Sequence, residues 1–297
     1  MKKTIRAYSD NGGWYTLGIP FATLTPSVSN GLLADSYDLY YYNESGDSQG
    51  KEWINHEPGA FSMTSGTGYL YANSVSRSLR MGGTLNSGSY SQTVNLGYTN
   101  SNADLKGYNL LGNPTVHEIE FTKTEDVSDG YYYLSNSGNW VYETGNTVPV
   151  GRGFLVKANA ASQSVTLNPQ SKGVIKEKGQ YVCFSVGEEK AYIKLNKGVS
   201  MPLLDLGDEH NSLYFTQEGK PYVMFVLDGA PTLDMSFAAN GCGEHTLTVD
   251  TKGLSLGYLH LVDRLTNADV DLLTTPSYSF TSTSDDHAMR FQLRFVP

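Results

Sequence analysis

Two stretches of the chain, "GTGYLYAN" at 66–73 and "GRGFLVKAN" at 151–159, are nearly the same phrase. Each has a matching stretch upstream, "WYTLGIP" at 14–20 and "YNLLGNP" at 108–114. Between them lie "YDLYYYNESG…EWIN" and "YYYLSNSGNWVY", in the same order. Pro20 to Pro114 is an offset of 94 and Gly66 to Gly151 an offset of 85, so the second copy is nine residues shorter in its middle (94 − 85 = 9). Such a chain is expected to fold as two related modules, one with a shortened loop.

Within each module the pattern is that of strands. "YLYANSVSRSLRMGG" and "FLVKANAASQSVTLNP" each give an alternating run, a polar turn and a second run, which is a hairpin signature. The glycine pairs Gly66/Gly68 and Gly151/Gly153 are read as sharp turns into the first strand, and Pro20 and Pro114 as strand ends. A phosphate loop would need a helix after the glycines, and here a strand follows.

From about Lys176 the repeat stops. Ten short apolar or alternating runs follow, from "QYVCFSV" to "MRFQLRFV", each bounded by Gly, Asp, Asn or Pro at a spacing that suits a β-sandwich. The expected architecture is all-β: a first module at 1–100, a second at 101–174, both sandwich-like, and a C-terminal β-sandwich region at 175–297. Asp263 to Asp269, "DRLTNAD", is read as a polar hairpin tip.

The formal net charge of −9 and the lack of any Lys/Arg cluster argue against a nucleic-acid partner. No run is long and apolar enough for a membrane-spanning helix, so no membrane insertion is expected. "MKKTI" is followed by "RAYSDNGG" where a signal peptide would be apolar, so no export signal is expected in this stretch. Cys183 and Cys242 are too few for a disulfide framework.

No nucleophile elbow, HExxH or CxxC motif is present, and no catalytic residues are expected. "DLGDEH" (205–210) and "SDDH" (284–287) gather carboxylates beside a histidine, but neither has metal-site spacing; both are read as solvated turns, with no metal and no cofactor. His260 alternates with Leu259 and Leu261 and faces away from them. The candidate ligand platform is aromatic, because Tyr and Trp rings stack on sugars. Aligning "YNESG" with "LSNSG" turns Tyr40, Tyr42, Tyr132 and Leu134 inward and leaves Tyr41, Tyr131 and Tyr133 outward, with Trp53 and Trp140 near by; Asp38 conflicts with that register, since it would also turn inward.

The set "GWYTLGIP", "YDLYYYN", "GTGYLYAN", "GYNLLGNP", "GRGFLVKA" and the terminal "YLHLVDRLTNADVDLLTTPSYSF…RFQLRF" resembles the C-terminal region of large secreted or surface-exposed, hemagglutinin-like or adhesin-like proteins of Bacteroidetes. The resemblance covers nearly the whole chain after about Gly12. It implies export to the cell surface or beyond, a β-rich fold without cofactor, and a last unit laid out like the immunoglobulin-like domains that act as secretion sorting signals. The expected function is non-enzymatic adhesion or presentation, with a host or bacterial surface protein or glycan as partner. A carbohydrate-binding module, an accessory region of a glycan-processing protein and a C-terminal sorting or anchoring domain are the alternatives.

Overall fold

Short runs rich in Tyr, Val, Leu and Thr, interrupted by Gly, Asn and Ser, form strands throughout the computed structural model, which describes residues 1–9, 12–49, 51–86, 90–99, 105–135, 137–169, 181–195, 197–204, 211–229, 231–251, 254, 256–283 and 288–296. The fold is all-β and sandwich-like. Two compact units are present, Met1–Lys176 and Glu177–Pro297.

The first unit holds both copies of the repeated phrase. Its first eight strands are β1 (Lys2–Ile5), β2 (Tyr15–Leu17), β3 (Thr23–Leu24), β4 (Tyr37–Tyr42), β5 (Trp53–Asn55), β6 (Met63–Thr64), β7 (Tyr69–Asn73) and β8 (Arg77–Arg80). The next eight are β9 (Gln92–Asn95), β10 (Tyr108–Gly112), β11 (Ile119–Lys123), β12 (Tyr131–Leu134), β13 (Trp140–Glu143), β14 (Thr147–Val148), β15 (Gly153–Lys157) and β16 (Ser164–Pro169). The sheet β2-β7-β4-β5 of one copy is repeated as β10-β15-β12-β13 in the other. Likewise β1 pairs β8 and β9 pairs β16, so the second module begins at β9, upstream of residue 101, because the repeated phrases start only at the second strand of each copy.

The copies differ in their second sheet. In the second module β11 runs on to pair with β16, giving the four-stranded order β14-β11-β16-β9. In the first, the β3-β6 and β1-β8 pairs remain separate. Each module has its own core, around Leu17, Leu39, Tyr69 and Tyr71 in one and around Leu111, Tyr131, Phe154 and Val156 in the other.

The modules meet through the repeated glycines. Gly18 N–H donates to Gly151 O at 3.2 Å, and Gly112 N–H, the same position in the other copy, donates to Gly66 O at 2.9 Å. Bridges Leu17↔Arg152 and Leu111↔Thr67 repeat this equivalence, so the contact is pseudo-two-fold. Edge strand β2 is thereby covered by the start of β15, and edge strand β10 by the start of β7. Gly66 and Gly151 do turn the chain, at φ 79° and 67°. Gly68 and Gly153 do not turn it: they give the other module room. A Cβ on Gly153 would lie 2.9 Å from Leu17 O, and one on Gly68 would strike Leu111 O. Pro20 and Pro114 follow the ends of β2 and β10 closely.

The second unit is a single eleven-stranded sheet wrapped around one core. Its strands are β17 (Tyr181–Val186), β18 (Glu189–Leu195), β19 (Met201–Pro202), β20 (Ser212–Gln217), β21 (Lys220–Leu227), β22 (Thr232–Ala238), β23 (Gly243–Asp250), β24 (Tyr258–Asp263), β25 (Ala268–Asp271), β26 (Ser277–Ser282) and β27 (Phe291–Val296). Their order is β25-β24-β27-β22-β20-β21-β18-β17-β23-β26, with β19 beside β21. Val182, Phe184, Phe215, Met235, Leu247, Leu261, Phe291 and Leu293 share its interior.

Asp263, expected at a polar tip, is instead buried at 0% exposure, where Arg290 Nη2 donates to Oδ2 at 2.8 Å and Nε to Oδ1 at 3.0 Å. Cys183 pairs with Asp250 at one end of β23, while Cys242 precedes the other end. Eight residues of strand, roughly 26 Å, separate Asp250 from Cys242, which is beyond the reach of a disulfide.

Candidate functional site

The outer face of sheet β2-β7-β4-β5 carries the open aromatic cluster of the first module. Strand alternation decides which rings reach it. Tyr37, Leu39 and Tyr41 face the core, with Leu39 fully buried. Asp38, Tyr40 and Tyr42 therefore share the opposite face.

This reverses the register expected from sequence. Tyr41 packs inward on Phe61 at 5.0 Å; Tyr131 is 2% exposed and lies in the second core; Tyr133 packs against that core. None of the three is an outward platform. The physical reason is the one Asp38 signals: its carboxylate belongs with Tyr40, whose hydroxyl donates to Asp38 Oδ1 at 3.2 Å, and that pair takes the outer side. Trp53 sits on the outer face edge-on to Tyr42 at 5.0 Å, and Trp140 lies opposite Leu134 in the other module. The five aromatic candidates are thus divided between two modules and two faces, and the structure does not bring them together.

A residue outside that set takes the central place. Trp14, immediately before β2, falls by alternation on the outer face with Thr16. Its ring is 5.8 Å from Tyr8 at 84° and 6.2 Å from Tyr40 at 40°, so the three rings form a corner. Tyr8 is 52% exposed, while Trp14 and Tyr40 are half-buried. Behind the corner stand Asp38 and Asn55, whose Nδ2 donates to the Tyr40 hydroxyl at 3.2 Å. Burial first, then the Asp38 charge, pushes the Tyr40 phenol up, so it remains a neutral donor.

The second copy differs on this face. Tyr108 stands where Trp14 stands, with Tyr132 and Tyr142 in place of Tyr40 and Asn55, and all three are buried. Lys157 Nζ lies over the Tyr108 ring at 4.5 Å, and Glu44 reaches in from the first module near by: it accepts from Thr99 N–H at 2.6 Å, Thr99 Oγ1 at 2.7 Å and Gly107 N–H at 2.9 Å. Tyr42 donates to Leu105 O at 3.2 Å. In the second module β12 and β13 are separated by five residues rather than ten, and Gly138 comes close to Gly12, beside the corner, where a Cβ on Gly138 would lie 2.9 Å from Gly12 Cα. Trp14 and Tyr40 are half-buried where their counterparts Tyr108 and Tyr132 are buried. Internal comparison of the two copies was the sequence signal that could have found Trp14.

Among the described residues no group of three His, Cys, Asp or Glu side chains is placed to hold a metal. Residues 205–210 and 284–287, the two carboxylate–histidine turns, lie outside the described residues. His260 does face away from its leucines, with Nδ1 2.6 Å from Asp269 and its ring stacked on Tyr258 at 4.1 Å, a pair on the surface of β24 and β25. No described helix is long and apolar enough to cross a membrane. Family models, curated proteins and solved structures give no match to this chain.

Proposed function

We propose that this chain is a non-enzymatic part of an exported surface protein, serving adhesion or presentation, and that its paired modules hold a saccharide in the corner made by Tyr8, Trp14 and Tyr40. The observation that carries this reading is the aromatic corner on the outer face, half-buried where its counterpart in the second module is buried, and backed by the Asp38 carboxylate. Aromatic plates gain from the apolar C–H face of a sugar, and a carboxylate with a phenol beside it accepts and donates to ring hydroxyls. The sheet beneath keeps the corner rigid, which lowers the entropy lost on binding.

A glycan array probed with the purified chain tests it. The expected result is a saccharide-dependent signal that Trp14→Ala removes while leaving the melting temperature within about 2 °C, since Trp14 lies outside both module cores. Silence across the array, or a signal that Trp14→Ala leaves intact, refutes the corner as the binding site.

A further inference from the structure

A second difference between the modules opens a polar cleft on the other sheet of the first module. In the second copy β11 and β16 are hydrogen-bonded neighbours, from Ile119↔Pro169 to Lys123↔Val165. In the first, the chain leaves the ladder after Leu24, and loop 25–34 lies between β3 and β8. The result is a pocket of about 400 Å³ lined by Thr23, Thr25, Ser27, Ser29, Asn30 and Arg80 among others, with almost wholly polar walls.

The loop is held in shape from within. Asn30 Oδ1 accepts from Ser27 N–H at 3.1 Å and Leu32 N–H at 3.2 Å, its Nδ2 donates to Thr25 O at 3.0 Å, and its carbonyl accepts from Arg80 N–H at 3.0 Å. The hydroxyls are therefore presented by a fixed turn.

Arg80 is the charged residue lining this cleft, and Lys2 is its neighbour on β1. Lys2 and Arg80 lie directly opposite each other in the β1–β8 ladder and both side chains are exposed on the same side. Like charges in that relation repel. Neither cation has a carboxylate within ion-pair distance among the described residues, in a chain whose formal net charge is −9. A planar guanidinium fork in a cleft lined by hydroxyls, with a second cation on the neighbouring strand, is an arrangement that recognises a carboxylate or sulfate group.

We propose that the cleft between β3 and β8 binds an oxyanion, with Arg80 as its principal partner, Lys2 on the neighbouring strand as a second charge, and the Thr23 and Thr25 hydroxyls and one of the mutually hydrogen-bonded Ser27 and Ser29 hydroxyls as further donors. An acidic saccharide can bring such a group, and so can a free inorganic anion. The site is separate from the aromatic corner and does not depend on it.

The test is a titration of the full chain at constant ionic strength with methyl glucuronide, methyl glucoside and sodium sulfate, read by amide chemical shifts at Ser27, Ser29, Asn30 and Arg80. The glucuronide shifts these resonances saturably and the uncharged glucoside does not. Arg80→Gln weakens the glucuronide about tenfold or more, the loss expected for one charge-assisted contact, while Lys2→Gln weakens it less; both variants keep the wild-type melting temperature. Sulfate binding as well as the glucuronide identifies a free-anion site, and weaker sulfate binding identifies an acidic-saccharide site. No saturable shift with either anion, or equal affinity in Arg80→Gln, overturns the proposal.

Discussion

Asp263 sits in what looks like a turn sequence, yet it anchors the interior of the second unit. Burial by itself would push its carboxyl up; the Arg290 hydrogen bonds, the Leu265 N–H and the Tyr278 hydroxyl outweigh it and bring the pKa down to about 2 from the ordinary 3.8. A carboxyl whose pKa is lower in the folded state stabilises the fold above its unfolded value. That contribution is full above about pH 5 and is lost as the pH falls toward 2. Arg290→Met leaves the carboxylate buried without its cation and is expected to cost about 3–5 kcal/mol in urea denaturation at pH 7; the wild-type advantage over that variant shrinks as the pH falls and the variant's uncompensated carboxyl takes up a proton before the wild-type one does. A loss under about 1 kcal/mol would show that Asp263 is satisfied without Arg290. "DRLTNAD" concealed this because the partner lies 27 residues on, and local sequence reports turn chemistry but not which carboxylate a distant arginine will meet. Tyr41, Tyr131 and Tyr133 were misassigned for a related reason: one residue of slip exchanges the faces of a strand, and only the Asp38 conflict in the sequence pointed to the correct side.

Strands β2 and β10 are the elements on which the module pair is hung. Their glycines are needed less for turning than for closeness: a Cβ on Gly18 would stand 2.5 Å from Asn113 N, and one on Gly112 would stand 2.8 Å from Gly18 Cα. Both obstacles are backbone, which cannot swing aside as a side chain can. Gly18→Ala and Gly153→Val are expected to destabilise the first unit by about 1–3 kcal/mol or more in thermal or urea unfolding. Gly82→Ala, where no atom lies within 4 Å of the added carbon, serves as the neutral control. Equal melting temperatures for all three variants would mean that the modules can separate slightly at no cost. The sequence made the glycines visible through repetition, and it made the hairpins and short strands visible through alternation. It could not show that the second glycine of each pair serves the opposite module, since that depends on how the two modules cross.

Across the whole chain, each of the two compact units has its own interior. Residues 1–176 and 177–297 expressed apart are each expected to unfold cooperatively with dispersed NMR spectra, whereas a fragment ending near residue 88 should fail to do so, since it leaves Gly18, Tyr42, Glu44 and Gly68 without the module that covers them. A cooperatively folded 1–88 fragment would show that the pair is a loose association. The change of pattern near Lys176 was legible because the repeat ends there, and it coincides with the boundary between the units. The boundary between the two repeats was not, because β9 carries no part of the repeated phrases and only its pairing with β16 assigns it to the second module. The pseudo-two-fold contact has a consequence for how such a protein can change. In a symmetric pair of identical chains every substitution appears twice, once on each side of the axis. Here the halves are joined in tandem, so the buried seam can keep its matched glycines while the two exteriors vary independently, with Tyr108 buried on one and Trp14 half-open on the other.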